Sequence, residues 1–194
     1  QVCISIQRLI VTEEIHDELM SRLVPRIESI VSGNQLLPET EIGPMVRTSD
    51  AERVQDWIEE ASSHGAQIAC GGERDGAFVQ PALILNANPE MMVMTEELFG
   101  PGVAVFRAAD IESAIKIAND SDFGLSAGIF TQDIDSAIRF ARAVHSGNLH
   151  INSGPTWRTD LMPYGGLKDS GLGKEGPKYA IEEMTEMKTV VIHS

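Results

Sequence analysis

Ile4-Ser5-Ile6-Gln7-Arg8-Leu9-Ile10-Val11 is followed at once by Thr12-Glu13-Glu14 and by a run to Ser32 in which Ile15, Leu19, Leu23, Ile27 and Ile30 return every three or four residues. Alternating branched residues suit a strand, and the second spacing puts apolar side chains on one side of a helix. Pro25 either kinks or divides that helix, because it offers no N–H and its ring crowds the preceding turn. Gly33-Asn34 ends it. A strand that runs straight into an amphipathic helix is the building unit of an α/β fold, and the rest of the chain repeats it.

Ser49-Asp50 is the expected cap of a helix from Ala51 to His64, with Val54, Trp57, Ile58 and Ala61 on its apolar face. Gln67 to Cys70 reads as a short strand, and Phe78 to Leu85 as extended chain broken by Pro81. Val103 to Arg107, Ser126 to Phe130 and Asn148 to Asn152 read as further strands. Between them, Asp110 caps a helix to Asn119, and a second helix runs from Asp133 to Val144 with Ile134, Ala137, Ile138 and Ala141 inward. Helices of this length between strands imply parallel pairing and right-handed crossovers. The expected fold is α/β: an open, mostly parallel sheet with helices on both faces.

Two stretches stand apart. Pro163 to Gly176 is glycine-rich and too irregular for an ordinary connection, and loops of this length usually carry function. Glu186 to His193 reads as a terminal strand that needs a partner.

Composition narrows the function classes. Fifteen basic against 29 acidic residues give a net charge of -14, which repels phosphate backbones and argues against nucleic acid. No apolar run approaches the roughly 20 residues that span a bilayer, so the expectation is a soluble protein with no membrane partner. The two cysteines, Cys3 and Cys70, have no spacing that suggests zinc or a disulfide framework, and a reducing, cytoplasmic setting is the simplest reading.

Three segments carry chemistry: Gln1-Val2-Cys3, Glu96-Glu97-Leu98-Phe99-Gly100-Pro101, and Pro163-Tyr164-Gly165-Gly166-Leu167-Lys168-Asp169-Ser170-Gly171-Leu172-Gly173-Lys174-Glu175. In this order they resemble the C-terminal half of an aldehyde dehydrogenase, with the chain expected to begin inside the family's Gly-Gln-x-Cys motif. The resemblance implies a catalytic domain over residues 1–185 and an oligomerisation strand over 186–194. It places the NAD-binding domain, the general-base glutamate and an oxyanion-hole asparagine outside this chain.

The same resemblance makes Cys3 the nucleophile. Its thiolate attacks an aldehyde, hydride leaves to a nicotinamide, and the resulting thioester is hydrolysed to the carboxylic acid. Glu97 is expected on the hydroxyls of the nicotinamide ribose of NAD or NADP, which a carboxylate can accept in pairs. Phe99 is expected against the nicotinamide, and Tyr164 as a wall of the substrate tunnel where the family often has phenylalanine. Gly102 replaces the apolar residue usual after Gly-Pro. Self-association as a dimer or tetramer through the terminal strand is implied as well.

Arg158 lies in the preceding loop and has two readings. It can grip a carboxylate, phosphonate or sulfonate at the far end of a short aldehyde, or pair with Asp160 on its own loop. Val2 stands where some relatives acting on phosphorylated aldehydes carry arginine, which argues against a phosphate. The plain alternatives elsewhere are a buried thiol at Cys3, an acidic helix end with a buried aromatic before a Gly-Pro turn at 97–101, and a flexible glycine loop at 163–176. Two whole-chain alternatives are a non-catalytic oligomerising module and a residual thiol esterase acting through Cys3.

Overall fold

The computed structural model describes residues 1–194. The first half of the chain runs β1 (Arg8–Thr12), α1 (Glu13–Glu28), α2 (Thr48–Ser63), β2 (Gln67–Cys70), β3 (Arg74–Asp75), β4 (Phe78–Val79), β5 (Ala82–Leu85) and α3 (Met92–Thr95). The second half runs β6 (Gly102–Ala108), α4 (Ile111–Asn119), β7 (Phe123–Gly124), β8 (Ser126–Ile129), α5 (Ile134–Ala143), β9 (Asn148–Ile151), β10 (Leu167–Lys168) and α6 (Pro177–Met184). No helix is long and apolar enough to cross a membrane.

The main sheet has the order β1-β6-β5-β2. β1 and β5 pair with β6 in parallel, while β2 joins β5 antiparallel and closes the edge. Residues on the central strands alternate between two cores, as the period of two demands. Ala82, Ile84, Ala104 and Phe106 face α2 and α3 with Val54, Ile58, Met91 and Leu98. Leu83, Val105 and Val11 face α1 with Met20 and Cys70. The mostly parallel sheet therefore has helices on both faces. A second layer forms where α4 and α5 cover the parallel pair β8–β9 through Ile115, Phe140 and Val144.

Several elements depart from the sequence reading. β1 begins at Arg8 rather than Ile4, because residues 3–5 make a turn closed by Ser5 N–H donating to the Val2 carbonyl at 2.8 Å. α1 passes through Pro25 as one helix and stops at Glu28, four residues before Ser32. α2 starts at Thr48 with Arg47 as its cap residue, so Ser49 and Asp50 lie in its first turn instead of capping it. Asp110 and Asp133 do cap their helices, each accepting from backbone N–H groups of the first turn. α6, which was not read from the sequence, has no buried residue. Residues 186–194 form no strand, and Met187, Val190, Val191 and Ile192 are exposed.

The glycine-rich segment is packed tightly rather than loose. A Cβ on Gly147 would sit 1.8 Å from the Gly165 carbonyl oxygen, and one on Gly166 would sit 2.4 Å from the Ser170 Cβ. Lys174 Nζ donates to the carbonyls of Gly165 at 2.9 Å and Gly166 at 3.4 Å. β10 pairs antiparallel with β7 and ties the segment to the body of the fold. Because the obstructing atom at Gly147 is backbone, Gly147→Ala should cost about 3 kcal/mol, the upper range for overpacking, read as a lowered urea midpoint. An unchanged midpoint would show that the two backbones are not locked together.

Candidate active site

The parallel register of β1 and β6 brings two loops together. Arg8 lies opposite Ala104, and Ala104 N–H donates to the Gln7 carbonyl at 2.9 Å. The residues just before both strands must therefore be neighbours. Gln1, Val2, Cys3, Ser5, Ile6 and Gln7 line one small pocket together with Glu97, Leu98, Phe99, Gly100 and Gly102. The site sits at the amino ends of the parallel strands, whereas ligands in open α/β sheets generally sit at the carboxyl ends.

Gln7, which the sequence reading did not single out, fixes one loop to the other. Its side-chain amide donates to the Glu96 carbonyl, and its Oε1 accepts from Leu98 N–H at 3.0 Å. Arg53 on α2 donates to the Leu98 carbonyl at 2.9 Å. Leu98 is buried, while Glu97 and Phe99 on either side of it are exposed. Phe99 is held at φ 45°, a left-handed conformation that costs a bulky L-residue about 1–3 kcal/mol. The bonds on both sides of Leu98 hold that strain in place, and the Phe99 ring is 40% exposed beside Cys3.

The two glycines of this motif have steric reasons. A Cβ on Gly100 would come 2.6 Å from Val54 Cγ2, and one on Gly102 would come 2.6 Å from Leu98 Cδ2. Gly102, unusual for the resemblance, thus makes room for the buried Leu98 side chain.

From the opposite direction comes the glycine-rich segment. Tyr164 forms a two-bond bridge with Glu175, at 3.1 and 2.6 Å, and its buried hydroxyl meets Cys3 Sγ at 2.8 Å. Arg158 lays its guanidinium 4.3 Å from the centre of the Tyr164 ring, and its Nη1 stands 3.8 Å from Glu175 Oε2. The acidic partner of Arg158 is thus Glu175, not Asp160, which corrects that reading. Tyr164 is pushed up to about 12, first by burial, then by its hydrogen bond to Cys3. The five expected site residues lie in one region: Glu97 and Phe99 line a pocket with Cys3, Cys3 touches Tyr164, and Arg158 lies over the Tyr164 ring.

Cys70 has none of this. It lies in the core against α1, where burial raises its thiol above the ordinary value. Elsewhere the scaffold gathers around the carboxyl end of α4. Arg8 donates to the carbonyls of Ile117, Ala118 and Asp120 at 3.0–3.1 Å, and Lys168 donates to those of Asn119 and Ser121 at 2.8 and 2.6 Å. Cations there satisfy carbonyls that the helix itself leaves unpaired. Arg8 follows the cysteine turn and Lys168 lies in the glycine segment, so one helix end holds both walls of the site.

Residues 1–190 match the model of the aldehyde dehydrogenase family. The chain is 48% identical over 193 residues to a 3-sulfolactaldehyde dehydrogenase of Priestia megaterium, covering 100% of this chain and 40% of that protein. It is 44% identical over 194 residues to a lactaldehyde dehydrogenase of Methanococcus vannielii, covering 100% of this chain and 42% of that one. Among solved structures, a glyceraldehyde-3-phosphate dehydrogenase of Methanocaldococcus jannaschii complexed with NADP superposes with a TM-score of 0.94 at 37% identity, covering 98% of this chain and 41% of that one. The chain belongs to the aldehyde dehydrogenase family. It spans about 40% of the length of the curated relatives that it matches.

Proposed function

We propose that this chain supplies the nucleophile, the nicotinamide end of the cofactor site and the substrate-selecting loop of an NAD(P)-dependent aldehyde dehydrogenase. The observation that carries this reading is the convergence of Cys3, Glu97 and Phe99 on one pocket, with Phe99 kept in a strained backbone conformation. Strain held by surrounding bonds is characteristic of sites where positioning matters more than local stability.

The residues present fit the nicotinamide half of a dinucleotide. Glu97 offers an exposed carboxylate for ribose hydroxyls, and Phe99 offers an exposed ring for a flat heterocycle. When bound, the cofactor accepts the hydride. Cys3 Sγ forms a bond to the aldehyde carbon, that carbon loses hydride, and water then cleaves the C–S bond to give the acid and the thiol. The adenosine and pyrophosphate portion would be held by residues outside these 194.

Arg158 supports a short aldehyde with an anionic far end. The guanidinium lies one aromatic ring from Cys3, and its pairing with Glu175 at 3.8 Å is an exposed contact that a better-placed anion can displace. Two relatives frame the choice, one named for a sulfonated lactaldehyde and one for lactaldehyde itself. The test places these 194 residues in the matching segment of the Priestia relative. In that chimera Cys3→Ala should abolish aldehyde oxidation. Arg158→Ala should raise KM for 3-sulfolactaldehyde by roughly 30- to 900-fold, equivalent to about 2 to 4 kcal/mol, while leaving lactaldehyde nearly unchanged. Equal losses on both substrates would assign Arg158 to loop structure alone.

We further propose that residues 186–194 associate with a strand from outside this chain, supporting a dimer or tetramer. This reading rests on the exposure of Met187 (98%) and Ile192 (90%) on a segment without a partner of its own. Deleting residues 186–194 should shift the chain toward monomer in light scattering with the α/β core intact. A particle mass that the deletion leaves unchanged would refute it.

A further inference from the structure

Cys3 and Tyr164 are 161 residues apart in sequence and 2.8 Å apart at Sγ and Oη. Tyr164 is fixed on three sides: its body is buried, its backbone is bridged to Glu175, and Arg158 lies over its ring. Either atom could donate in the Cys3–Tyr164 contact. A phenol O–H is a good donor and a thiol S–H a weak one, so at this 2.8 Å contact the phenol is the partner that donates. A cation on the ring face draws electron density from the phenol and makes its O–H a stronger donor.

We propose that Tyr164 is a further catalytic residue, whose O–H donates to Cys3 Sγ and holds that sulfur as an anion facing the substrate. The inference rests on the reading of Cys3 as the nucleophile, and gives Tyr164 a chemical task beyond lining a wall. In the attack, the Sγ electron pair forms the C–S bond and the carbonyl pair moves to oxygen. After hydride has left that carbon, water adds to the acyl carbon and releases a proton to solvent, the C–S bond breaks, its pair returns to Sγ, and the Tyr164 O–H stabilises the departing thiolate. Tyr164 keeps its proton in both steps. The charged groups around the contact are Arg158 and Glu175 on the tyrosine side, Lys174 on the neighbouring glycine carbonyls, and Glu97 across the pocket.

A hydrogen-bonded thiolate is more abundant at neutral pH but intrinsically less nucleophilic, and the two effects have different pH dependence. Alkylation of Cys3 by iodoacetamide, followed by peptide mass mapping so that Cys70 is counted separately, therefore has a distinctive signature. Tyr164→Phe should react about threefold slower than the parent at pH 7 and about threefold faster at pH 10, where both thiols are ionised. Equal rates at both pH values, or the same slowing at both, would overturn the proposal, the second pointing to altered access. If the phenylalanine variant does not fold by circular dichroism, the chain has only one other tyrosine, Tyr179. In a Tyr179→Phe chain, 3-fluorotyrosine at position 164 is the stronger donor and should raise the pH 7 rate; an unchanged or lower rate overturns the proposal. The readout needs no aldehyde oxidation, so a chimera that fails to turn over and a missing pH crossover are separate failures.

Discussion

The pairing of β1 with β6 is the constraint on which the site depends. Parallel strands in fixed register carry the residues before them side by side, so once Arg8 lies opposite Ala104, the cysteine turn and the Glu97–Phe99 loop must meet. Burial enforces the register. Val105 and Val11 face one core while Ala104 and Phe106 face the other, and a slip by one residue would exchange the faces of every side chain on the strand. Gln7 then converts strand register into loop position by bonding to both sides of Glu97.

The opposite wall has a different origin. Its position comes from backbone packed on backbone, with Gly147 against Gly165 and Gly166 against Ser170, where no side chain could be accommodated. The end of α4 joins the two walls, since its carbonyls bind Arg8 from one and Lys168 from the other. Burial lowers the Arg8 guanidinium from its ordinary value, with Asp120 acting in the opposite direction. A cation is tolerated there because its N–H groups have carbonyl partners. The result is a cysteine on an exposed turn whose surroundings are nonetheless tied to the core at several points.

Much of this was legible in the amino-acid sequence. Period-two and period-3.6 patterns located the principal strands and helices, and Asp110 and Asp133 announced their helices through local bonds that depend on nothing distant. The structure brings Cys3, Glu97, Phe99, Tyr164 and Arg158 into one region. What stayed hidden depends on partners remote in sequence. Gln7 is an ordinary polar residue until Leu98 is placed beside it, 91 positions away. Glu175 could not be told from Asp160 as the partner of Arg158, because only the bridge to Tyr164 brings it close. α6 is a short helix that buries nothing, and the turn at residues 3–5 was masked by apolar residues that continue smoothly into β1.

Where the substrate is carried during turnover decides the role of Cys3. The most direct measurement is acid quenching of the chimera while it oxidises aldehyde with NAD or NADP, followed by mass mapping of the cysteine peptides. An acyl group, of the mass of the substrate's acid less water, is expected on Cys3 and none on Cys70. Turnover with no acyl group on Cys3 at any quench time, or with the label on Cys70, would contradict the reading of Cys3 as the nucleophile.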